Sequence, residues 1–197
     1  LITEARLIKQ QQPSLNRRLR RKQALFSWRL GRNEQGFAVL ELVDALAIRL
    51  DGTEQYFGLW HSRSEAKKQL KAWVESSTLC GQVLGVETGA AGQPCFRRQI
   101  KQCAGACVGV VSAEAHHAEL LSVVRPQAIA TWPVAGVAVM VEGNKWHVLD
   151  DWRYLGTVTD LDAVATVLAQ QRPALDKDIY QILYKHRALL HPLSKVM

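Results

Sequence analysis

The sequence predicts an α+β protein in which short strands, amphipathic helices and a cysteine-rich segment follow one another along the chain. Apolar residues make up 48% of the 197 residues, which is enough to form a hydrophobic core. Residues 37–60 and 136–158 contain short runs typical of strands. Apolar residues also recur every three or four positions near both ends and in the middle of the chain, as in helices that pack against a sheet.

The strands are predicted from short apolar runs bounded by turn residues. Residues 51–55 (DGTEQ) form a turn, and Gly143 with Asn144 forms the turn of a hairpin. The predicted strands are residues 37–43, 45–50 and 56–60, the two arms of the hairpin within residues 136–150, and residues 154–158.

The helices are predicted from apolar periodicity and capping residues. The second helix starts at Ser62 or Ser64, and Asp160 caps a later one. The helices are expected at residues 1–12, 64–77, 112–124, 161–171 and 176–190, and the second should bury Ala66, Leu70, Trp73 and Val74.

The positive charge is concentrated near the beginning of the chain. The net charge is +7, but residues 1–33 carry nine Lys and Arg against one acid, a net charge of +8. The remaining 16 basic and 17 acidic residues give −1. Such a block predicts contact with a polyanion such as nucleic acid, while a solvated helix face and a targeting-like basic run remain open. The cations at its centre are Arg17, Arg18, Arg20, Arg21 and Lys22.

Targeting signals and membrane spans are not predicted. The longest apolar run, residues 128–141, is too short to cross a bilayer and is interrupted by Pro133 and Gly136. No secretory signal precedes the fold, so a cytoplasmic location is expected. The chain opens with Leu1 inside an apparent helix, which predicts that it is a piece of a longer protein.

The four cysteines form a candidate ligand set. Fourteen, seven and three residues separate Cys80, Cys95, Cys103 and Cys107, without the paired C-x2-C knuckles of a zinc ribbon. A helical turn would place Cys103 and Cys107 on one face. In a reducing compartment such thiols indicate a metal site more than a disulfide scaffold. A [4Fe–4S] cluster, a structural zinc ion and buried reduced thiols all remain compatible with the spacing.

The surroundings of the cysteines favour thiolates and tight turns. Gly105 and Gly109 permit the backbone conformations that wrap a metal centre. The cations Arg97, Arg98 and Lys101 would offset the negative charge of a four-thiolate site, and they could also contact DNA.

The sequence also predicts the environment of one tryptophan, two histidines and two aspartates. Trp28 lies beside the basic run and could stack on a base. His116 and His117 lie on a polar helix and are expected to be exposed. Asp150 and Asp151 are expected in a turn.

Several stretches resemble one family of DNA-repair nucleases. Residues 1–21 (LITEARLIKQQQPSLNRRLRR) resemble the end of the GIY-YIG nuclease domain of the UvrC/Cho excinucleases, and residues 95–109 (CFRRQIKQCAGACVG) resemble the cysteine segment that follows it. Residues 56–66, 78–87 and the tail from residue 136 are also similar. The resemblance divides the chain into the last nuclease helix with a basic stretch (1–33), strands and a helix (34–79), a cluster segment (80–110) and a small α+β region (111–197).

The resemblance implies a function in nucleotide excision repair. It implies metal-dependent incision of damaged DNA on the 3′ side of the lesion, with UvrB and UvrA as partners. Glu4 would hold Mg²⁺ or Mn²⁺, Asn16 would belong to the same nuclease site, and the four cysteines would bind a [4Fe–4S] cluster. Neither a GIY nor a YIG motif occurs in the sequence, so the chain alone is expected not to cut DNA. A non-catalytic, metal-stapled DNA-binding or docking module, or part of a fusion to a DnaQ-like exonuclease, is the alternative.

Overall fold

The computed structural model of the chain describes residues 2–3, 24–90 and 92–195 and confirms the mixed α+β class. Its residues form two compact units. The first, called here the cysteine unit, comprises Phe26–Val43 and Glu54–Ile129. The second, the C-terminal unit, comprises Asp44–Thr53 and Ala130–Met197 together with Leu1–Leu25, as far as these are described.

The cysteine unit contains a three-stranded sheet with the strand order β2-β1-β3. Strand β1 pairs antiparallel with β3 and places Trp28 opposite Phe57. Between β1 and β2, the Asn33 carboxamide oxygen accepts hydrogen bonds from the amides of Gln35 and Phe37, which closes the turn. The elements are β1 (Phe26–Arg32), β2 (Ala38–Asp44), β3 (Tyr56–Trp60), α1 (Arg63–Glu75), α2 (Phe96–Gln99) and α3 (Ala113–Val124).

The C-terminal unit contains a four-stranded antiparallel sheet with the order β6-β5-β4-β7. The hairpin predicted around Gly143 is confirmed, and this glycine has the positive φ of 66° that the turn requires. The elements are β4 (Ala138–Glu142), β5 (Lys145–Asp150), β6 (Arg153–Val158), α4 (Val164–Leu168), α5 (Lys177–Lys185) and β7 (His191–Pro192).

The core of the cysteine unit confirms the predicted helix α1. The Ser62 hydroxyl accepts a hydrogen bond from the Glu65 amide and caps this helix. Its four predicted apolar residues are buried against the sheet and against Leu120 of α3. Trp28 is part of the same core and donates its indole N–H to the Ala66 carbonyl at 3.0 Å. The expectation that Trp28 stacks on a base is therefore wrong.

Residues 45–50 do not form the predicted strand. The Asp44 carboxylate accepts hydrogen bonds from the amides of Leu46 and Ala47, which turns the chain immediately after β2. Conversely, β1 was not predicted from the sequence. Arg29 and Arg32 interrupt the alternation of apolar and polar residues that is typical of a half-buried strand. Arg29 forms ion pairs with Glu41 and Glu54, so its charge is balanced within the cysteine unit.

The helices of the C-terminal unit are shorter than predicted. The helix expected at residues 161–171 is a short 3₁₀ turn (Leu161–Ala163) followed by α4. The final helix α5 is capped by the Asp176 carboxylate, which accepts hydrogen bonds from the amides of Asp178 and Ile179. It ends at Lys185, and a 3₁₀ turn, Arg187–Leu189, follows.

Two polar residues are buried: His116, which was predicted to be exposed, and Asp151, which lies in the predicted turn. His116 is 2% exposed, and its ring meets the edge of the Phe37 ring. Burial lowers the pKa of His116, which favours the neutral imidazole. Asp151 is 3% exposed and forms an ion pair with Arg153, so it does more than cap a turn.

Gly58 gives a specific prediction about β3. It has φ +68°, and a Cβ there would lie 1.9 Å from the ring of Trp60, which packs edge-on against Trp73. We expect Gly58→Ala to destabilise the chain by more than Gly36→Ala in urea unfolding. Gly36 also has positive φ, but a Cβ there would have no atom within 4 Å. Gly36→Ala should therefore cost only about 1–2 kcal/mol, from the backbone conformation alone. Equal losses would contradict the steric argument.

Candidate metal centre

The turns that follow α1 position Cys80, the first of the four candidate ligand cysteines. The Leu84 amide donates to the Cys80 carbonyl at 3.1 Å, and the Val86 amide donates to the Gly81 carbonyl at 2.8 Å. These bonds curl residues 80–87 into successive turns. The Cys80 side chain is consequently buried, with 1% of its surface exposed.

Cys95 begins the short helix α2. Its Sγ accepts a hydrogen bond from the Arg98 amide at 3.4 Å, in the position of an N-cap side chain. The Cys95 amide in turn donates to the Sγ of Cys107 at 3.5 Å. Backbone N–H groups directed at sulfur favour the thiolate form, which is the form that binds metal.

Cys103 and Cys107 meet through a glycine turn. The expected helical turn over both residues is absent, and only the 3₁₀ turn Ala106–Val108 contains Cys107. Gly105 and Gly109 on either side have φ values of 103° and 72°, as predicted for glycines that wrap a metal site. The Gly105 amide donates to the Sγ of Cys103 at 3.4 Å.

The four sulfur atoms form one compact cluster. All Sγ atoms of Cys80, Cys95, Cys103 and Cys107 lie within 4.8 Å of one another. Within residues 2–3, 24–90 and 92–195, no other group of three or more His, Cys, Asp or Glu side chains gathers in this way. Three of the cysteines are buried and Cys107 is partly exposed. The donor set and its burial fit a structural metal centre.

The electrostatics of the thiols differ around the cluster. Burial, with smaller contributions from the neighbouring Cys103 and Cys107, raises the pKa of Cys80 to about 11. Burial also raises the pKa of Cys95. At Cys107 burial acts in the same direction, but hydrogen bonds from the Cys95 amide and from the other thiols lower its pKa overall. Cys107 is therefore expected to ionise before Cys80 and Cys95.

Arg97 and Arg98 stabilise the loop of residues 94–110, called here the cysteine loop, which contains three of the four cysteines. The buried Arg97 guanidinium donates to the carbonyls of Ser77 and Gln102 at 2.8 and 2.9 Å. Arg98 donates to the Cys103 carbonyl at 3.2 Å. Since Arg97 is 8% exposed, the structure does not support its predicted contact with DNA. Arg98 is half-buried and Lys101 is exposed.

Removal of the Arg97 side chain should loosen the cysteine loop. Arg97→Ala would leave the two carbonyl groups of Ser77 and Gln102 without this donor in a partly buried site. We expect a loss of about 1–3 kcal/mol in urea unfolding. Lys101→Ala, in the same loop but exposed, should change stability by less than about 0.5 kcal/mol. Equal stability of the two variants would show that the Arg97 hydrogen bonds contribute nothing.

A cavity of about 450 Å³ gives access to the centre from one side. Asn33, Phe37 and Gln82 line it, and Cys107 forms part of its wall. The partly exposed thiol is therefore the one that an incoming ion or an oxidant meets first.

The remaining predicted site residues lie outside the described part of the chain. They are Glu4, Asn16 and the basic run with Arg17, Arg18, Arg20, Arg21 and Lys22. Ile2 and Thr3, immediately before Glu4, are helical.

The fold and the centre define a class: a mixed α+β protein whose first unit is organised around four thiols. Comparison with known proteins gives the family. Residues 26–126, about half of the chain, match the middle domain of the UvrC/Cho excinucleases, and residues 138–195 match the excinuclease Cho C-terminal domain. The chain belongs to the UvrC/Cho excinuclease family.

Individual relatives agree with this assignment. Excinuclease Cho of Salmonella typhi and that of Escherichia coli K12 are each 35% identical over 189 residues, which cover 94% of this chain. The UvrABC system protein C of Citrifermentans bemidjiense is 39% identical over 113 residues, 57% of this chain and 17% of that protein. The chain spans 62% of the length of the two Cho proteins. No solved structure matches it significantly.

None of the helices within the described residues is long and apolar enough to cross a bilayer.

Proposed function

We propose that this chain is the DNA-contacting C-terminal portion of an excinuclease that incises damaged DNA in nucleotide excision repair. One observation supports this proposal. The four Sγ atoms lie within 4.8 Å of one another, and their cysteines all fall within the segment that matches the UvrC/Cho middle domain. The centre fixes the cysteine loop, which presents Arg98 and Lys101 to DNA phosphates.

The proposed chemistry is metal-dependent phosphodiester hydrolysis on the 3′ side of the lesion. Glu4 and Asn16 would contribute to the nuclease site, with the GIY-YIG elements supplied by a preceding segment of the parent protein. A divalent ion such as Mg²⁺ or Mn²⁺ polarises the phosphate and stabilises the leaving oxygen. The basic run around Arg17 and Lys22 would hold the flanking backbone, and UvrB with UvrA would deliver the damaged site.

The group bound by the four thiols is proposed to be a [4Fe–4S] cluster, with zinc as the alternative. The family resemblance favours the cluster. The observed spacing, with all Sγ atoms within 4.8 Å, favours one tetrahedral ion instead, because metal–sulfur bonds of about 2.3 Å separate the thiolates by about 3.8 Å, whereas the ligands of a four-iron cube lie farther apart. Cys80, Cys95, Cys103 and Cys107 would ligate either group. Iron, sulfide and zinc analysis of protein purified without oxygen distinguishes the two.

The nuclease assignment is tested with supercoiled plasmid. The 197-residue chain alone should not nick it in Mg²⁺ or Mn²⁺. The same chain joined to the preceding segment of its parent should nick, and Glu4→Gln should abolish this activity by a factor of at least about 100. Nicking by the joined protein that is unaffected by Glu4→Gln would overturn the role of Glu4.

A second candidate is a non-catalytic DNA-binding or docking module. It is favoured by one observation: neither a GIY nor a YIG motif occurs in the sequence of this chain. This candidate predicts salt-dependent DNA binding by the chain and no Glu4-dependent nicking after the preceding segment is restored.

A further inference from the structure

The cysteine loop exposes three large apolar side chains. Phe96 is 67% exposed, Val110 is 62% exposed and Ile100 is 45% exposed. Scattered apolar residues are normal on protein surfaces, but three of them within fifteen residues form a local feature. Their arrangement on the loop decides whether they can act together.

Phe96 and Ile100 lie on the same side of one helical turn. They are four residues apart, and the Ile100 amide donates to the Phe96 carbonyl at 3.2 Å. Val110 is placed beside Gly105: a Cβ on that glycine would be 3.0 Å from the Cβ of Val110 and 3.2 Å from the Arg98 guanidinium. An exposed apolar group and a cation therefore border the same turn.

The backbone under Phe96 is held on both sides. Cys95, immediately before it, is one of the four clustered cysteines and caps α2. Arg97, immediately after it, is buried and bonded to two carbonyl groups. A rigid aromatic group with few side-chain rotamers loses little entropy when it binds a partner. The exposure of Phe96 thus belongs to an ordered part of the loop.

The charge of this region indicates which partner would cover it. Residues 88–113 contain three Lys and Arg and no Asp or Glu. Two of the cations, Arg98 and Lys101, are not buried, and Lys101 has a φ of 62°. Glu87, just before this stretch, lies 4.0 Å from the buried Arg97. Apolar side chains flanked by exposed cations, in a stretch with no acid of its own, match the surface by which proteins insert wedges into DNA.

We infer that Phe96, supported by Ile100, inserts into or stacks on unpaired bases of DNA while Arg98 and Lys101 hold the flanking phosphates. This inference rests on the proposed function in DNA repair and adds the aromatic contact to it. Every base offers a π-face, so the contact requires no particular sequence. It favours DNA whose stacking is already weakened, because little unstacking energy is then needed.

The test uses the metal-loaded 197-residue chain and two labelled duplexes, one fully paired and one with a mismatched bubble that contains 2-aminopurine. Wild type should bind the bubble more tightly and change the 2-aminopurine fluorescence. Phe96→Ala should lose about tenfold in affinity for the bubble, together with the fluorescence change. Phe96→Tyr should keep both. Lys101→Ala should weaken binding to both duplexes by a similar factor and reduce the salt dependence.

The matched control is Val141→Ala, which truncates a half-exposed apolar residue on β4 of the C-terminal unit and should leave both affinities unchanged. Unchanged bubble affinity and fluorescence in Phe96→Ala would overturn the inference while DNA binding by wild type stands. Self-association of wild type that disappears in Phe96→Ala, with DNA affinity intact, would assign the face to protein contact and overturn it as well. If wild type binds neither duplex at low salt, the proposed function itself fails.

Discussion

Replacing Cys103 with alanine is expected to empty the metal centre and to melt the cysteine loop. Cys103 is one of the four clustered thiols that could hold a metal, it is 3% exposed, and its Sγ accepts a hydrogen bond from the Gly105 amide. Three remaining thiols bind a tetrahedral ion or a cluster far less tightly. Because the binding free energy of a structural metal is also folding free energy, its loss destabilises the surrounding segment directly.

The expected loss is about 3 kcal/mol or more, which corresponds to a fall of more than about 10 °C in Tm for a unit of this size. Metal content and thermal unfolding should be measured on the same sample. Gln99→Ala is the matched control, because Gln99 is exposed and lies in the same cysteine loop. Unchanged metal content and Tm in Cys103→Ala would show that the four thiols are merely packed together.

Loss of the metal in Cys103→Ala should affect the stability of the two units differently. The sheet core around Trp28, Leu70 and Leu120 contains no metal ligand, and we expect part of it to survive. Hydrogen exchange should therefore accelerate first in residues 80–110 of Cys103→Ala and should remain slow in β4 and β5 of the C-terminal unit.

The sequence predicted those features that depend on local spacing. Helix α1 was recognisable because its buried positions repeat at helical spacing after a capping serine. The hairpin at Gly143 was recognisable because its turn requires positive φ. The four cysteines could be proposed as one ligand set because thiols in a reducing compartment have few other reasons to gather, and the structure brings them together.

Features that depend on distant partners could not be predicted in this way. Arg97 and Arg98 look equivalent in the sequence, but one is buried on carbonyl groups from two segments and the other is half-buried over a glycine turn. His116 lies in a polar helix, and only the position of Phe37 explains its burial. No local pattern specifies the contact of Arg97 with Ser77 or that of His116 with Phe37, because each joins residues more than twelve positions apart.

Phe96 illustrates a signal that sequence reasoning passed over. A large aromatic residue directly after a metal-ligand cysteine is held rigidly by its neighbour, so its burial or exposure is a defined property of the fold. The sequence directed attention to Trp28, which lies beside the basic run but is 5% exposed. The exposed aromatic residue is therefore Phe96, held between Cys95 and Arg97, and not Trp28.

A buried ion pair in the C-terminal unit should produce the second large effect. The Asp151 carboxylate accepts the Leu50 amide at 2.6 Å and pairs with the Arg153 guanidinium. Arg153 also donates to the carbonyls of Ala45 and Ile48, and both charged side chains are 3% exposed. The pair thus connects residues 45–50 to the connection between β5 and β6, and it explains why that stretch is not a strand.

Desolvation limits the net contribution of this pair. Burial raises the pKa of Asp151 although Arg153 and Arg172 act to lower it, and burial lowers the pKa of Arg153 although Asp151 acts to raise it. The attraction between the charges therefore does not fully offset the removal of water. The pair fixes the position of residues 45–50 more than it adds stability.

Removing one partner is a different case, because the other charge then stays buried without compensation. We expect Asp151→Ala to cost about 3–5 kcal/mol in urea unfolding, followed by the fluorescence of the buried Trp132 and Trp152. Asp150→Ala, which removes the partly exposed pair with Arg172, should cost less than about 1 kcal/mol. If the two variants lose the same stability, the Asp151 carboxylate does not compensate the Arg153 charge.

The double variant Asp151→Ala, Arg153→Met should recover part of the loss, since it removes the orphaned charge. It should not recover all of it, because the carbonyls of Ala45 and Ile48 would still lack their donor.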